Sequence, residues 1–451
     1  MSALILPFPA ATSAVASPIA CYVRIGEAHS KLAALHAASR FPARHVVVQA
    51  SRMQRQRELL AALREVGAEI VLDTEAAELA APAKFAGQAR HAPWALPSIE
   101  GLLGPDHFKR NAPSDVIGQI ARFAVQSGVD AVLAPAHFLG DPTCGDWLAV
   151  DRESSLLLRA ALDREGGSNI AIDYPVIIPH TELNQSNTRG QLVAALHDLP
   201  IDNIWVRASG LDANSGPLTV KRYLTAISYF HNLGKPIIAD CLGGLVGTAA
   251  LAFGVVSALS HGINERERFD TSAWYKPPSE HTDDTRFRRA IRIKIPSLDR
   301  SATIGELEFL AKAKGGRRLV GCSDRNCCPQ GLSDMIADPR RHAAQQTFRG
   351  IAELQAVPDS KREHHFLNGP MADADRRARQ IKSLRPPVAD VPEHRVNATK
   401  LMKNLSDYSQ KIEQLQNALF DLHETRGDET PRSRPTSIRN ARPNAIKEDR
   451  L

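Results

Sequence analysis

Short β-branched runs alternate with amphipathic helical stretches along most of this chain. Such runs predict strands, and the apolar spacing between them predicts helices. The predicted strands span residues 45–50, 69–73, 130–134, 169–173, 203–207, 236–240, 253–259 and 291–295. Continuous apolar strands separated by helices indicate a parallel sheet covered by helices, and eight of them favour a closed (β/α)8 barrel of the TIM type. A doubly wound open sheet is the alternative, disfavoured because no Gly-x-Gly-x-x-Gly turn follows the first strand.

The predicted barrel takes up residues 41–300, and the flanking segments have different patterns. Residues 1–40 are assigned to an N-terminal arm. Residues 301–385 predict an appended α/β element with a helix at 303–314, a strand at 317–322 and a cluster of cysteine and histidine. Residues 386–451 predict a proline-rich linker, a helix and a basic disordered tail. Apolar residues of that helix, over 401–422, repeat at spacings of four and three, which predicts either a short coiled coil for self-association or a helix packed on its own barrel.

Composition narrows the class of protein. With 43% hydrophobic and 24% charged residues among 451, the chain has globular proportions. No run approaches the roughly 18 apolar residues of a membrane-spanning helix. Three of the six cysteines lie between Cys322 and Cys328, which suggests a cytoplasmic chain with one special cluster instead of a disulfide framework. The net charge of +6 permits a nucleic-acid partner without requiring one.

Polar residues close the predicted strands, at the rim where barrel enzymes place their active sites. Asp73, Asp173 and Asp240 are the candidate catalytic carboxylates, with Asp240 preferred, since carboxylates that share one pocket can divide nucleophilic and acid–base roles. Candidate substrate-binding residues of the same rim are Arg207, His137, His261 and Glu265. The alternative for any single aspartate is a cap on the following helix or loop.

Two further motifs carry candidate chemistry. Gly243, Gly244 and Gly247 directly follow a predicted strand, so their backbone could approach a substrate closely or could serve tight packing. Three thiols and an imidazole form a Cys3His set suited to tetrahedral zinc. These predicted metal ligands are Cys322, Cys327, Cys328 and His342. A redox pair and plain buried thiols are the alternatives. Because the side chains of the adjacent Cys327 and Cys328 diverge, His364 or His365 could also replace one of them as a ligand.

Taken together, the barrel pattern, the Gly-Gly-Leu-x-Gly turn and the appended Cys/His element resemble the tRNA-guanine transglycosylases and their DNA-modifying relatives. The resemblance covers residues 41 to about 385. Gly243, Gly244, Leu245 and Gly247 match the family's base-binding motif, with Thr248 in place of its final Glu. The cysteine spacing differs from the family's Cys-x-Cys-x-x-Cys, and residues 261–270 replace its nucleophile segment. The resemblance implies a structural zinc and exchange of a nucleobase.

The leading hypothesis is therefore a transglycosylase-like barrel enzyme that acts on a nucleobase or nucleoside, possibly within tRNA or DNA, through its rim carboxylates. A barrel lyase or hydrolase with another substrate is the second hypothesis. A catalytically inactive protein that binds nucleic acid or assembles through its C-terminal helix is the third.

Overall fold

The computed structural model describes residues 18–82, 88–96, 102–141, 144–272, 274–275, 292–387 and 396–426. Eight parallel strands close into a barrel in which each strand pairs with the next and the eighth pairs with the first. The barrel strands are β1 Ala20–Ile25, β2 His45–Gln49, β3 Glu69–Asp73, β4 Ala131–Leu133, β5 Ala171–Pro179, β6 Ile204–Ser209, β7 Ile237–Asp240 and β8 Ala258–His261. The predicted closed (β/α)8 barrel is confirmed.

Helices connect the strands and cover the barrel. The α-helices up to β8 are His29–Ala37, Met53–Glu65, Ala76–Ala80, Val116–Ser127, Trp147–Arg164, His180–Leu183, Ser186–Leu196, Pro217–Ser228 and Gly244–Ala252. Short 3-10 helices span Ala50–Arg52, Gln88–His91, Pro105–Phe108 and Tyr229–Leu233. The 3-10 helices Gln88–His91 and Pro105–Phe108 lie in the long excursion after β3, and Gln88 and Ala89 of this excursion line the cavity described below.

The strands differ from the prediction at three places. β1 lies within the residues assigned to an N-terminal arm, so the barrel begins well before residue 41. The predicted strand at 291–295 does form, as β9 Arg292–Lys294, but it pairs antiparallel with β10 Ser301–Thr303 outside the barrel. The last barrel strand begins at Ala258 instead of residue 253, because the preceding helix runs on to Ala252.

Strand periodicity explains how the barrel interior leads to a polar mouth. Inward side chains pack as one apolar cluster in the interior, including Tyr22, Val47, Val71, Trp205 and Ile238. Because successive side chains of a strand point to opposite faces, the residue two positions further along each strand also points inward. Those residues are Arg24, Gln49, Asp73, Arg207 and Asp240. Five strands therefore place polar side chains together at their carboxyl ends.

The segment after the barrel is mostly helical. Its helices are Ile304–Ala311, Gly316–Val320, Leu332–Ala337, Pro339–Gln355, Asp359–Phe366 and Ala372–Lys382, with a π-helical turn at Leu367–Met371. The strand predicted at 317–322 is wrong, since Gly316–Val320 is a helix.

The C-terminal helix, Ala398–Arg426, packs on the chain's own helices Pro217–Ser228 and Ala372–Lys382. The residues of its apolar repeat, from Leu401 to Leu422, are buried in this packing. The repeat is therefore used within the chain and does not offer a free coiled-coil surface. The predicted tail, 427–451, lies outside the described residues. No helix among the described residues has the length and apolar character of a membrane span.

Candidate functional site

Two buried arginines and two buried aspartates form an ion-paired cluster at the barrel mouth. Arg24 binds Asp240 with two bonds, from Nε to Oδ1 and from Nη2 to Oδ2, both 2.7 Å. Its Nη1 lies 2.6 Å from Asp73 Oδ2. Arg207 donates from Nε to Asp240 Oδ2 at 2.7 Å and approaches Asp73 Oδ2 at 3.3 Å. All four side chains are at most 7% exposed.

The electrostatics of this cluster fix its protonation. Burial opposes ionisation of Asp240, but the charges and hydrogen bonds of Arg24 and Arg207 outweigh it and hold the pKa of this carboxyl well below its usual range. The same two arginines lower the pKa of Asp73 against its burial. Both aspartates are therefore ionised, and both oxygens of Asp240 are engaged by arginine. This arrangement gives Asp240 the role of holding two guanidinium groups in place.

Glu75 and Glu78 follow β3, and both line the cavity described below. Glu75 is 2% exposed, and burial raises its pKa to about 7. It accepts hydrogen bonds from Gln49 Nε2 at 2.7 Å and from the Ser51 backbone at 2.9 Å. Burial also raises the pKa of Glu78, whose Oε1 lies 3.3 Å from Arg207 Nη1. Glu75, about half of which carries its proton at pH 7, thus lies beside the ionised Asp73.

Backbone conformation adds to the unusual character of the mouth. Glu75 has φ +55° and Cys241 has φ +58°, and each follows the end of a barrel strand. The left-handed region is costly for residues other than glycine and tends to be found at functional sites. The loops after β3 and β7 are therefore held in a strained form where they meet the mouth.

These groups face a cavity of about 350 Å³, hereafter the mouth cavity. Its lining includes Arg24, Gln49, Arg52, Glu75, Glu78, Arg207, Cys241, Arg266, Phe269 and Trp274. Phe269 and Trp274 meet edge to face with ring centroids 5.4 Å apart, and the Arg207 guanidinium lies 5.5 Å from the Phe269 ring. The cavity therefore combines an aromatic wall, arginines and a protonated acid.

Asp173, the third predicted carboxylate, lies deeper than expected. β5 continues to Pro179, so Asp173 does not close its strand, and that part of the prediction is wrong. Its carboxylate accepts bonds from Trp205 Nε1 at 2.9 Å and Asn203 Nδ2 at 3.1 Å inside the barrel. Asp173 is fully buried and is absent from the described lining of the mouth cavity. It satisfies interior donors below the mouth.

His137 also lies away from the mouth cavity. Its Nδ1 is 2.6 Å from Asp151 Oδ1, and its ring stacks on Trp147 with centroids 3.7 Å apart. Phe108 makes an edge-to-face contact with the His137 ring. This buried histidine joins the loop after β4 to the following helix. The contact stabilises the rim of the barrel, but His137 does not line the mouth cavity.

His261 and Glu265 lie at the junction between the barrel and the appended helices. His261 Nδ1 lies 2.8 Å from its neighbour Gly262 O, and its Nε2 lies 3.9 Å from Cys21 Sγ. It lines a second cavity, of about 520 Å³, between the barrel and these helices. Glu265 faces Arg340 at 3.6 Å. Neither residue is among those that line the mouth cavity.

The glycine turn packs against the chain itself. Asp299 Oδ2 accepts a bond from the Leu245 backbone at 2.8 Å, and a Cβ on Gly244 would lie 1.7 Å from Asp299 Oδ1. Gly243 packs on Glu267, and Gly247 packs on Leu259. The start of the helix after β7 is thus bound by the Asp299 carboxylate of the same chain. These contacts agree with the tight-packing interpretation of the three glycines.

The predicted metal ligands do come together. One donor atom from each of the four residues lies within 4.8 Å of the other three, and all four residues are buried. Cys327 Sγ and Cys328 Sγ are 3.6 Å apart, and His342 Nδ1 lies 3.4 Å and 3.6 Å from them. Tetrahedral zinc, with about 2.3 Å to sulfur and 2.0–2.1 Å to nitrogen, needs separations of about 3.8 Å and 3.5 Å. This Cys3His cluster, Cys322, Cys327, Cys328 and His342, has the donors and spacing to hold a metal ion.

The surroundings of the Cys3His cluster also suit a metal. His342 Nε2 lies 3.1 Å from the Lys294 backbone carbonyl, which directs the proton to Nε2 and leaves Nδ1 free to bind. Hydrogen bonding from Cys327 lowers the pKa of Cys322, while burial raises the pKa of Cys328 to about 11, so one thiol of the cluster ionises more readily than its neighbours. Within the part of the chain that the structure describes, this is the one group of three or more His, Cys, Asp and Glu ligands positioned for a metal.

Arg24, Glu75 and Glu78 are site residues that the sequence analysis missed. Arg24 was missed because its strand, β1, lies within residues that the sequence analysis assigned to an N-terminal arm. Glu75 and Glu78 lie two and five residues beyond Asp73, so an inspection that continued past the strand end would have included them. No protein-family model matches the chain, and a search of curated proteins finds no significant match.

Proposed function

We propose that the mouth cavity is the active site of an enzyme that cleaves or exchanges the bond between a nucleobase and its sugar. The observation that carries this proposal is the protonated Glu75 beside the ionised, arginine-bound Asp73. Neighbouring titratable groups with pKa values pushed apart are a common arrangement for acid–base catalysis. A pKa of about 7 suits proton transfer near neutral pH.

Glycosidic chemistry fits this set of groups. Such reactions pass through an oxocarbenium-like transition state, which carboxylates stabilise while an acid protonates the leaving group. Glu75 is the proposed proton donor to the departing base. Glu78, held by Arg207, is the proposed carboxylate that stabilises the positive charge on the sugar. Water or an incoming free base then bonds to the anomeric carbon and gives its proton to the deprotonated Glu75. Asp73 and Asp240 are proposed to position the arginines and to balance their charge.

The walls of the cavity favour a nucleoside over a simple sugar. Phe269 and Trp274 provide aromatic surface against which a planar base can stack, a contact worth about 1–3 kcal/mol per base. Arginines surround this surface and suit an anionic substrate. The transglycosylase-like activity implied by the sequence resemblance belongs to this same class, whether the nucleoside is free or within nucleic acid.

A direct experiment is base release. The purified protein is incubated with pooled nucleosides, nucleotides, RNA and DNA together with isotopically labelled free bases, and the products are separated by chromatography and identified by mass spectrometry. The proposal expects a released base or an incorporated label that disappears in Glu75→Gln. The exposed Glu58→Gln provides the matched control. Turnover in Glu75→Gln at the wild-type rate would contradict the assignment.

We further propose that the Cys3His cluster holds a structural Zn²⁺. Bound zinc would tie the loop of Cys322, Cys327 and Cys328 to the helix of His342, and closed four-ligand sites of this kind stabilise folds without entering the chemistry. Since the thiols must stay reduced to bind metal, we also propose a cytoplasmic location.

Metal analysis tests the zinc proposal. Protein purified without added metal is expected to contain about one zinc per chain by mass spectrometry. Cys327→Ser and His342→Ala are each expected to lose it and to unfold at lower temperature. Cys144→Ser, a change of a cysteine outside the cluster, should retain full occupancy. A wild type free of metal, or full zinc in both ligand variants, would overturn the proposal.

A further inference from the structure

Among the described residues, five arginines line the mouth cavity, and three of them are paired with aspartates. Arg268 lies 2.9 Å from Asp270 and 3.3 Å from Asp212. Arg24 and Arg207 are paired with Asp73 and Asp240, as described above. Arg52 is 7% exposed and binds Glu27 through Nη2 at 2.6 Å. The side chain of Glu27 is 71% exposed, so water screens this pair. Arg52 Nε is buried and has no hydrogen-bond partner in the described structure.

Arg266 is the less neutralised of the other two. Its Nη2 donates to the neutral amide oxygen of Gln49 at 2.6 Å, and it forms no salt bridge with a described residue. It has φ +54°, so the loop after β8 holds it in a strained backbone conformation while it lines the cavity. Gln49 in turn donates to Glu75. The charges of Glu27 and Glu265 act on Arg266 from a distance, and its direct partner Gln49 links it to the proposed proton donor.

The described acids of the cavity wall are Glu75, Glu78 and Asp270. Asp270 pairs with Arg268, Glu78 faces Arg207, and Glu75 keeps its proton for part of the time at neutral pH. Arg52 and Arg266 are thus the cavity arginines without a buried carboxylate partner among the described residues, and their forked donors match the oxygens of a phosphate. An unsatisfied buried donor is costly, and an anion that accepts from it removes that cost.

We infer that Arg52 and Arg266 form a phosphate subsite of the mouth cavity, which takes the terminal phosphate of a sugar phosphate or nucleotide. The depth of the site favours a terminal monoester, because a phosphodiester needs space for two chains leaving it and Arg52 is almost fully enclosed. The inference rests on the proposed function for the identity of the rest of the ligand, a ribosyl group placed toward Glu75. The phosphate subsite itself depends only on the arginines.

The experiment is isothermal titration calorimetry of the full chain at constant ionic strength, with ribose 5-phosphate, ribose and inorganic phosphate as probes. Ribose 5-phosphate is expected to bind at least about tenfold more tightly than ribose, and inorganic phosphate is expected to compete with it. Arg266→Gln is expected to weaken ribose 5-phosphate binding by about tenfold or more, and Arg266→Lys by less. The exposed Arg57→Gln, on the helix that follows Arg52, should bind as the wild type does.

A second arm separates the two sources of phosphate. A trinucleotide without terminal phosphates is expected to compete at least about tenfold less well than ribose 5-phosphate. A trinucleotide that competes equally well would overturn the monoester assignment, as would equal binding of ribose 5-phosphate to wild type and a folded Arg266→Gln. Glu75→Gln, which is expected to lack turnover, should still bind ribose 5-phosphate. Loss of base release and loss of phosphate binding are thus separate failures, of the proposed function and of this inference.

Discussion

Replacement of Glu75 by Gln is expected to slow base release by about a hundredfold to ten-thousandfold, the usual contribution of a general acid. Glutamine keeps the size of the side chain and one of the two acceptor oxygens, which take bonds from Gln49 and from Ser51 respectively, but it has no acidic proton to give. Substrate binding should change little, so the loss is expected in kcat and not in KM. A loss confined to KM would instead indicate that Glu75 only contacts the ground-state substrate.

The pH dependence follows from the raised pKa of Glu75. The protonated form is the active one, so the wild-type rate is expected to fall with rising pH, with an apparent pKa near 7. Glu75→Gln should lose this limb from its residual rate. A wild-type rate that rises through pH 7 would contradict the role of proton donor.

The free energy of unfolding should also depend on the protonation of Glu75. Because the pKa of Glu75 is raised from 4.5 to about 7 on folding, its stabilising contribution is complete below pH 4.5 and is lost as the pH rises through 7. Urea unfolding at pH 5 and pH 8 measures this loss. The free energy of unfolding of Glu75→Gln, relative to that of the wild type, is expected to be about 2–3 kcal/mol higher at pH 8 than at pH 5. Other titrating groups largely cancel in that comparison.

The second large effect is expected at Arg24. Arg24→Met removes three short bonds and leaves Asp73 and Asp240 buried with Arg207 alone. Breaking a buried ion pair in this way costs about 3–5 kcal/mol of the free energy of unfolding, because an uncompensated charge remains in the interior. Urea unfolding at pH 7 measures the loss.

Two controls identify the cause of that loss. The exposed Arg57→Met should change stability by less than about 0.5 kcal/mol. Adding Asp73→Asn to Arg24→Met should restore at least about 1 kcal/mol, since it removes one of the uncompensated charges. An Arg24→Met protein within about 1 kcal/mol of the wild type would show that the cluster contributes little to the fold.

Much of the barrel could be predicted because its strands are apolar runs of β-branched residues. This pattern predicts β2 to β7. Three of the residues at the barrel mouth, Asp73, Arg207 and Asp240, could be predicted from the ends of the predicted strands. β1 could not be found by the same route, since its surroundings are rich in alanine and proline. Conversely, the alternating pattern at β9 correctly indicated a strand but contained nothing about its antiparallel partner.

The candidate site shows a similar division. The ligand types of the Cys3His cluster were evident from their proximity in sequence, although only the fold shows that the adjacent Cys327 and Cys328 both face His342. The roles of the acids depended on partners that are distant in sequence. The Asp240 carboxylate is bound by Arg24, which is 216 residues away in the sequence, and the pKa of Glu75 is raised by burial. Neither effect can be read from a linear pattern.

The protonation of Glu75 is the central claim, and infrared titration measures it directly. The carbonyl stretch of a protonated carboxyl is followed from pH 4 to pH 9 in the wild type, and the same series in Glu75→Gln is subtracted. The account predicts a difference band that disappears with a midpoint near pH 7. A midpoint near the ordinary value of 4.5 would mean that Glu75 is ionised at neutral pH, which would contradict the proposed proton donor.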